Sequence, residues 1–279
     1  MPGWRLMKVR HGGNISSEVA APYWLGDGPR GVLLLHGFAG TPPEMRLLAE
    51  WLANRGFLVH APLLAGHGTT PEAMAETGRW DWIHSAERAL EQLLERCPHV
   101  GVAGQSMGGT LALHLAATRP EVEAVVSQAG LLWIRDWRLR VLPVAKAFIR
   151  WEVPSGEVDL YRTEGIRELH SYSRRPTAAI LELVRLGKQV RHELAAVVQP
   201  LLVLQGGRDS VVDPANADQI LALAGSSVRA LRRFERSGHG MSVDIDRVEV
   251  AEEAGRWLDR YIGIWAPPGV ALSPDPAAL

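Results

Sequence analysis

The sequence predicts an α/β fold: a mainly parallel sheet with helices on both faces and an inserted helical cap. Three observations carry that expectation. Short apolar runs bounded by turn residues recur at 31–35, 57–61, 100–103, 123–127, 201–205 and 228–234. They are mostly rich in valine and leucine, as strands buried on both faces are. Helical patterns alternate with them, and strand–helix–strand alternation marks a parallel sheet covered on both sides. The alternation fails once, after 123–127, where roughly 60 helical or irregular residues are too many for one crossover and point to an insertion over one end of the sheet.

Taken in order, the run 31–35 is the first buried strand. A helix is expected over 43–55, where Met45, Leu48, Trp51 and Leu52 share one face and Gly56 follows as the residue that turns the chain away. After the strand 57–61 comes a helix over 81–96, with Ile83, Ala86, Leu90 and Leu93 on one face and Pro98 just beyond. The strand 100–103, a helix over 107–118 and the strand 123–127 follow. Inside the insertion, helical or irregular stretches are expected at 142–151, 158–172 and 177–186. The strands 201–205 and 228–234 and the helices 214–224 and 244–262 complete the set. The expected organisation is a core over 25–130 and 188–265, a cap over 131–187 and a disordered, proline- and alanine-rich tail over 266–279.

Composition narrows the class. The chain has 279 residues, a formal net charge of −1 and one cysteine, Cys97, so an internal disulfide framework is excluded. Near-neutral charge speaks against a broad basic face for nucleic acid. No stretch of about 18 apolar residues occurs, so stable membrane insertion is not expected. Arg5, Lys8 and Arg10 are not followed by an apolar segment, which argues against a signal peptide and for a cytoplasmic location. Ten tryptophans against four phenylalanines and four tyrosines are unusual. Trp51 and Trp257 fall on amphipathic helices and are expected in the core. Trp133, Trp137 and Trp151 fall in the insertion, where they could line a substrate entrance.

Gly104-Gln105-Ser106-Met107-Gly108 is a G-x-S-x-G motif between an apolar run and a helical pattern, the context of a nucleophile elbow. A sharp turn lifts the serine hydroxyl clear of the backbone, and side chains at 104, 108 and 109 would collide. A serine nucleophile needs a base, and the base needs an orienting acid. Asp209 follows the strand 201–205 and His239 follows the strand 228–234, in the chain order Ser, Asp, His. Acyl transfer also needs N–H donors for the developing oxyanion. The backbone N–H groups of Met107 and of Phe38, in His36-Gly37-Phe38-Ala39-Gly40, are the candidates. His36 and His67 are expected to shape loops. The remaining histidines lack metal-ligand spacing, so no metal is expected, and no phosphate-binding or dinucleotide motif appears. Cys97 reads as a structural thiol. The arginines of the insertion read as a solvated face, or as attraction for an acidic substrate.

The string LLLHGFAGTPPEMRLLAEWL at 33–52 resembles the α/β-hydrolase family. APLLAGHGTTPE at 61–72, GQSMGGTLALHLA, GGRDSVVDP and ERSGHGMSVD are similar to the bacterial carboxylesterase and monoacylglycerol lipase group within it. The matches run from about 31 to 261. The resemblance implies Ser106 as nucleophile, His239 as base, Asp209 as acid, and Phe38 and Met107 as oxyanion donors. It implies hydrolysis of short- to medium-chain esters or monoacylglycerols through an acyl-enzyme, with no cofactor and a small-molecule ester as the binding partner. Thioester, lactone or carbon–carbon bond hydrolysis on the same triad is the alternative, and a non-catalytic ligand-binding protein a remote one. Two departures stand out. Gln105 replaces the aliphatic residue common before the nucleophile, and the insertion matches poorly until about 177. Loop placement nominates Phe38, Trp133, Ile134, Val211 and Met241 as the lining of the acyl pocket.

Overall fold

A computed structural model of the chain describes residues 7–8, 20–134, 149–153, 157–169 and 171–265. Trp137, Arg135, Arg138, Arg140, most of the helical or irregular stretch expected at 142–151 and the tail 266–279 lie outside them. The strands are β1 (Met7–Lys8), β2 (Tyr23–Leu25), β3 (Arg30–Leu35), β4 (Phe57–Ala61), β5 (His99–Gln105), β6 (Val122–Gln128), β7 (Trp151–Glu152), β8 (Glu157–Val158), β9 (Arg175–Pro176), β10 (Leu201–Gly206) and β11 (Arg229–Phe234). The α-helices are α1 (Arg46–Ala53), α2 (Pro71–Ala75), α3 (Arg79–Leu94), α4 (Met107–Thr118), α5 (Gly165–Glu168), α6 (Thr177–Glu193), α7 (Ala215–Leu223) and α8 (Arg247–Tyr261).

Seven strands form the main sheet in the order β11-β10-β6-β5-β3-β4-β2. All neighbours are parallel except β2, which runs antiparallel to β4 at one edge. Every apolar run read from the sequence is a strand of this sheet. The continuous apolar character of β3 resolves into two faces. Leu33 and Leu35 join the core beneath α3, α4 and α6, whereas Val32 and Leu34 join the core beneath α1 and α8. Alternation along each strand thus serves both layers, which is why neither face shows a polar stripe.

The chain runs from β3 outward to β4, then crosses to β5 on the other side of β3. At such a reversal the loops at the strand ends diverge and leave a crevice, where open α/β sheets place their ligands. β3 and β5 end level, with Leu35 opposite Gly104. The loop after β3 and the turn after β5 therefore emerge side by side. β10 and β11 also end level, with Gly206 opposite Phe234.

Close backbone approach fixes the turn after β5. A Cβ on Gly108 would lie well inside van der Waals contact of the Leu35 carbonyl, and one on Gly104 would strike the Gly108 carbonyl. Both obstacles are main chain and cannot swing away. Gly108→Ala is expected to destabilise the protein by roughly 3 kcal/mol, the upper end of the usual overpacking cost. A urea-unfolding midpoint equal to that of the parent would contradict this.

Several expectations are corrected. β2 was not foreseen, because three residues at an edge are too short to show a period. The stretch 158–172, expected to be helical or irregular, is mostly irregular, with β8, which pairs with β1, at its start and the single turn α5 within it. Polar groups of this segment are met by a neighbouring loop: the Tyr161 N–H donates to Asp244 Oδ1 at 2.7 Å, and Arg162 donates to the Val243 carbonyl at 3.1 Å and to Glu168. Trp151 is in a strand, pairing with Pro176, not at a helix end. The helix read to Leu186 continues to Glu193. Trp51 and Trp257 are partly buried against the α1–α8 side of the core, as expected.

The edge strand β11 carries Arg229, Arg232 and Arg233. Arg233 pairs with Asp218 on α7, Arg232 reaches Glu253 on α8 at 3.5 Å, and Arg229 donates to the Ala224 carbonyl.

Candidate active site

Ser106 is the residue between β5 and α4, and its backbone has φ 55° and ψ −115°. A side chain in that region costs of order 1–3 kcal/mol and persists only where the surroundings enforce it. Here the Ser106 N–H donates to the Gln128 carbonyl at 2.7 Å, and the Thr110 N–H donates back to the Ser106 carbonyl at 3.0 Å. The Thr110 hydroxyl stands 3.0 Å from the Leu131 carbonyl.

Three side chains meet in a line. Ser106 Oγ is 2.9 Å from His239 Nε2, and His239 Nδ1 is 2.9 Å from Asp209 Oδ2. A carboxylate can only accept, so Nδ1 carries the ring proton and Nε2 offers its lone pair to the serine hydroxyl. Asp209 is held as an acceptor from several directions. Its Oδ1 takes N–H groups from Val211 at 2.9 Å and Val212 at 2.8 Å, and its Oδ2 takes the Gln205 amide at 3.0 Å. Burial alone would raise its pKa. The positive charge of His239 and these hydrogen bonds outweigh it, and Asp209 titrates below the usual aspartate value. For His239 burial works downward, yet the Asp209 carboxylate prevails and lifts its pKa above 6.5, with smaller help from Asp159 and Glu44.

The loop after β3 lies against the serine: a Cβ on Gly37 would be 3.5 Å from Ser106 Cβ. His36 is fully buried, and burial lowers its pKa to about 3, so the ring is neutral. Its Nδ1–H donates to the Gly37 carbonyl at 2.9 Å, and its Nε2 accepts the Leu64 N–H at 3.1 Å. This is the loop-shaping part foreseen for it. His67 is likewise buried, with its pKa lowered to about 4, and Nδ1–H donates to the Ala65 carbonyl at 2.9 Å. The Phe38 ring packs edge-on against Trp82 and His67.

The nominated pocket residues divide. Trp133 and Ile134 are partly buried on the same side of the sheet as Phe38. Asn216 holds that stretch, accepting the Leu132 and Trp133 N–H groups at 2.7 and 3.0 Å. Val211 is 47% exposed at the rim of the acid loop, while its neighbour Val212 is buried with the Phe38 side. Met241 does not join them. It is 0% exposed and packs among Val32, Leu34 and Met45 in the opposite core layer, because the chain after His239 turns beneath the sheet end. Of the insertion's arginines, Arg162 pairs with Glu168, Arg174 with Glu72 and Arg175 with Glu152, while the exposed Arg150 lies 5.2 Å over the Trp151 ring. That favours the solvated-face expectation.

Four polar residues beside the site carried no sequence signal of their role. Gln105, the departure before the nucleophile, donates from Nε2 to the His239 carbonyl at 2.7 Å, which an aliphatic residue could not do. Gln205 supports Asp209. Glu44 is buried, accepts the Gly37 N–H and borders a cavity of about 10 Å³ with Gln128, Ser242 and Arg247. Burial pushes its pKa up to about 7. Asp159 reaches both the Asp209 and His239 loops. None of these has a spacing relation to the others. Among the described residues no cluster of His, Cys, Asp and Glu suits a metal ion, and no helix is long and apolar enough to cross a membrane.

A mainly parallel sheet in this strand order, with a strained strand–turn–helix serine at its switch point, defines the α/β-hydrolase fold. A family model described as serine aminopeptidase, S33, matches residues 29–246, and the chain belongs to that hydrolase family. It is 34% identical over 252 residues to a thermostable monoacylglycerol lipase of Bacillus sp. (strain H-257), covering 88% of this chain and 96% of the relative. It is 28% identical over 243 residues to a carboxylesterase of Bacillus subtilis (strain 168), covering 86% and 96%. Among solved structures, one from work on the metagenome-derived lipolytic enzymes LipS and LipT superposes with a TM-score of 0.82 at 31% identity, covering 86% of this chain and 98% of the other. The resemblance read from the motifs is borne out.

Proposed function

We propose that the protein hydrolyses neutral carboxylic esters of short- to medium-chain acids, monoacylglycerols among them, through an acyl-enzyme on Ser106. The observation that carries the proposal is the unbroken hydrogen-bonded line from Asp209 through His239 to Ser106. Ser106 Oγ attacks the ester carbonyl while His239 Nε2 takes its proton. Asp209 stabilises the imidazolium that forms. The tetrahedral oxyanion is received by the N–H groups of Phe38 and Met107, each such donor lowering the barrier by roughly 3–4 kcal/mol. Collapse expels the alcohol, protonated by His239. Water, deprotonated by the same ring, then releases the acid and restores Ser106.

Substrate class follows from what surrounds the serine. Phe38, Trp133, Ile134 and Val212 offer an apolar side to an acyl chain. The family description also includes peptide-bond cleavage, and an aminopeptidase needs a free carboxylate for the substrate ammonium. Glu44 and Asp159, which act on His239, are both buried, and each holds backbone N–H through one oxygen, so neither stands open to a substrate ammonium. Ester cleavage is therefore favoured, and the relatives named for monoacylglycerol and carboxylic ester hydrolysis support it.

The test is a panel: p-nitrophenyl esters of increasing acyl length, monoacylglycerols, an acyl thioester, a lactone and an aminoacyl p-nitroanilide. The expected result is that kcat/KM is highest on the oxygen esters, with labelling of Ser106 by a fluorophosphonate. Preference for the thioester, lactone or anilide would replace the ester assignment, and absence of labelling would remove the nucleophile.

A further inference from the structure

We infer that Asp159, which comes from the segment between β6 and α6, is a positioning residue for the reaction. It clasps the loop that carries His239 to the loop that carries Asp209, and its charge supports the imidazolium. The inference rests on the triad proposed above.

Asp159 is 8% exposed. One of its oxygens, Oδ2, accepts two backbone N–H groups: that of Ser210 at 2.7 Å and that of His239 at 3.1 Å. Ser210 directly follows the acid, and His239 is the base. A single buried carboxylate oxygen therefore bridges the two loops at the residues whose spacing sets the His239–Asp209 hydrogen bond. The approach is close. A Cβ on Gly238 would lie 2.5 Å from the Asp159 carbonyl oxygen and 2.5 Å from its Oδ1. This gives the glycine before His239 a reason: it admits Asp159. A second carboxylate repeats the tie from the opposite direction, since Asp244 accepts the Gly238 N–H at 2.8 Å and the Tyr161 N–H at 2.7 Å.

Asp159 Oδ2 accepts both N–H groups, while Oδ1 is buried and has no hydrogen-bond partner. Burial raises the Asp159 pKa above the usual aspartate value, and the nearby Asp209 adds to this, whereas the Ser210 N–H and the positive charge on His239 work against it. The charge on His239 thus favours an ionised Asp159. The charged groups acting on it are Asp209 on the β10–α7 loop and His239 on the β11–α8 loop; its neighbour Tyr161 also feels Arg208 and Asp244, and Glu44, before α1, acts on His239 from the other side. Arg208 lies 4.9 Å over the Tyr161 ring. The imidazolium of His239 thus forms among three carboxylates, one of which belongs to the inserted segment.

The test compares Asp159→Ala, Asp159→Asn and Ser106→Ala in the full chain, with p-nitrophenyl butyrate followed across pH and folding followed by thermal melts. Asp159→Ala is expected to lower kcat by roughly 10- to 100-fold with little change in KM, the scale seen when a support for a reacting group is removed. Asp159→Asn keeps an oxygen for both N–H groups and is expected to recover most of kcat. It removes the charge, so the acid limb of kcat/KM is expected to move to lower pH by roughly half a unit to one unit. An unchanged kcat and acid limb in Asp159→Ala would overturn the inference. So would losses in both variants that only track the folded fraction, with the acid limb unmoved. Turnover retained by Ser106→Ala would remove the triad and this inference together. Turnover lost in Ser106→Ala but unaffected in Asp159→Ala would remove the inference alone.

Discussion

Replacing Ser106 by alanine is expected to lower kcat on a p-nitrophenyl ester by roughly 10⁴- to 10⁶-fold, because residues that act as a unit fail together when the nucleophile is lost. The residual rate would come from oxyanion stabilisation and binding alone. The same change is expected to leave the fold intact. Alanine meets the same backbone demand at φ 55° and ψ −115° that serine meets. Neither the Gln128–Ser106 nor the Ser106–Thr110 main-chain bond involves the side chain. Near-equal melting temperatures with collapsed activity would separate chemistry from folding. Glycine at 106 should be as inactive and somewhat more stable, since it tolerates positive φ without strain. Turnover by the alanine variant within tenfold of the parent would sink the mechanism.

The second large effect is expected from Asp209→Asn, a kcat loss of roughly 10⁴-fold. The hydrogen bonds around the carboxylate give the reason. Two N–H groups, from Val211 and Val212, converge on Oδ1 and require an oxygen there. The amide nitrogen of asparagine is thereby directed to the Oδ2 position, facing His239 Nδ1. An N–H placed there demands the Nδ1 lone pair, which moves the ring proton to Nε2. The ring then points a donor at Ser106 and cannot take its proton. The pH dependence follows from the same change. His239 must be neutral to act as base, so kcat/KM falls as pH drops through its pKa. In the parent that pKa is raised above 6.5, chiefly by Asp209 working against burial. Without the carboxylate, burial dominates and the pKa falls. The residual activity of the variant should therefore persist to lower pH than that of the parent. An acid limb at the parent position would show that Asp209 does not set the charge on the ring.

The contrast between what was legible and what was not is physical. Ser106 and Asp209 occupy short glycine-flanked loops directly after buried strands, and His239 a glycine-flanked loop after the half-exposed edge strand β11; both strands and loops leave local marks. Ser106, Asp209 and His239 could be placed in one crevice because strand ends in a parallel sheet lie on one side. His36 was legible for the same reason. Asp159 and Glu44 carry no local mark: each is one acidic residue in a polar stretch, and only the approach of loops distant in sequence buries it. Gln105 was noticed as a departure, but its partner is 134 residues away. Met241 failed differently. Its nearness to His239 in sequence suggested nearness to substrate, yet the turn that begins at Met241 carries its side chain into the opposite core layer.

The arginines of β11 have a consequence for how copies of the protein meet. A sheet whose last strand offers bare backbone groups can recruit a strand from another molecule and grow. Here a second β11 approaching edge to edge would bring its own Arg229, Arg232 and Arg233 against an identical set, already braced by Asp218 and Glu253. The other margin, β2, offers three residues, too few to anchor an incoming strand. The ladder is closed to newcomers at both ends, and a chain whose core strands are almost wholly aliphatic carries its own guard against stacking into fibres.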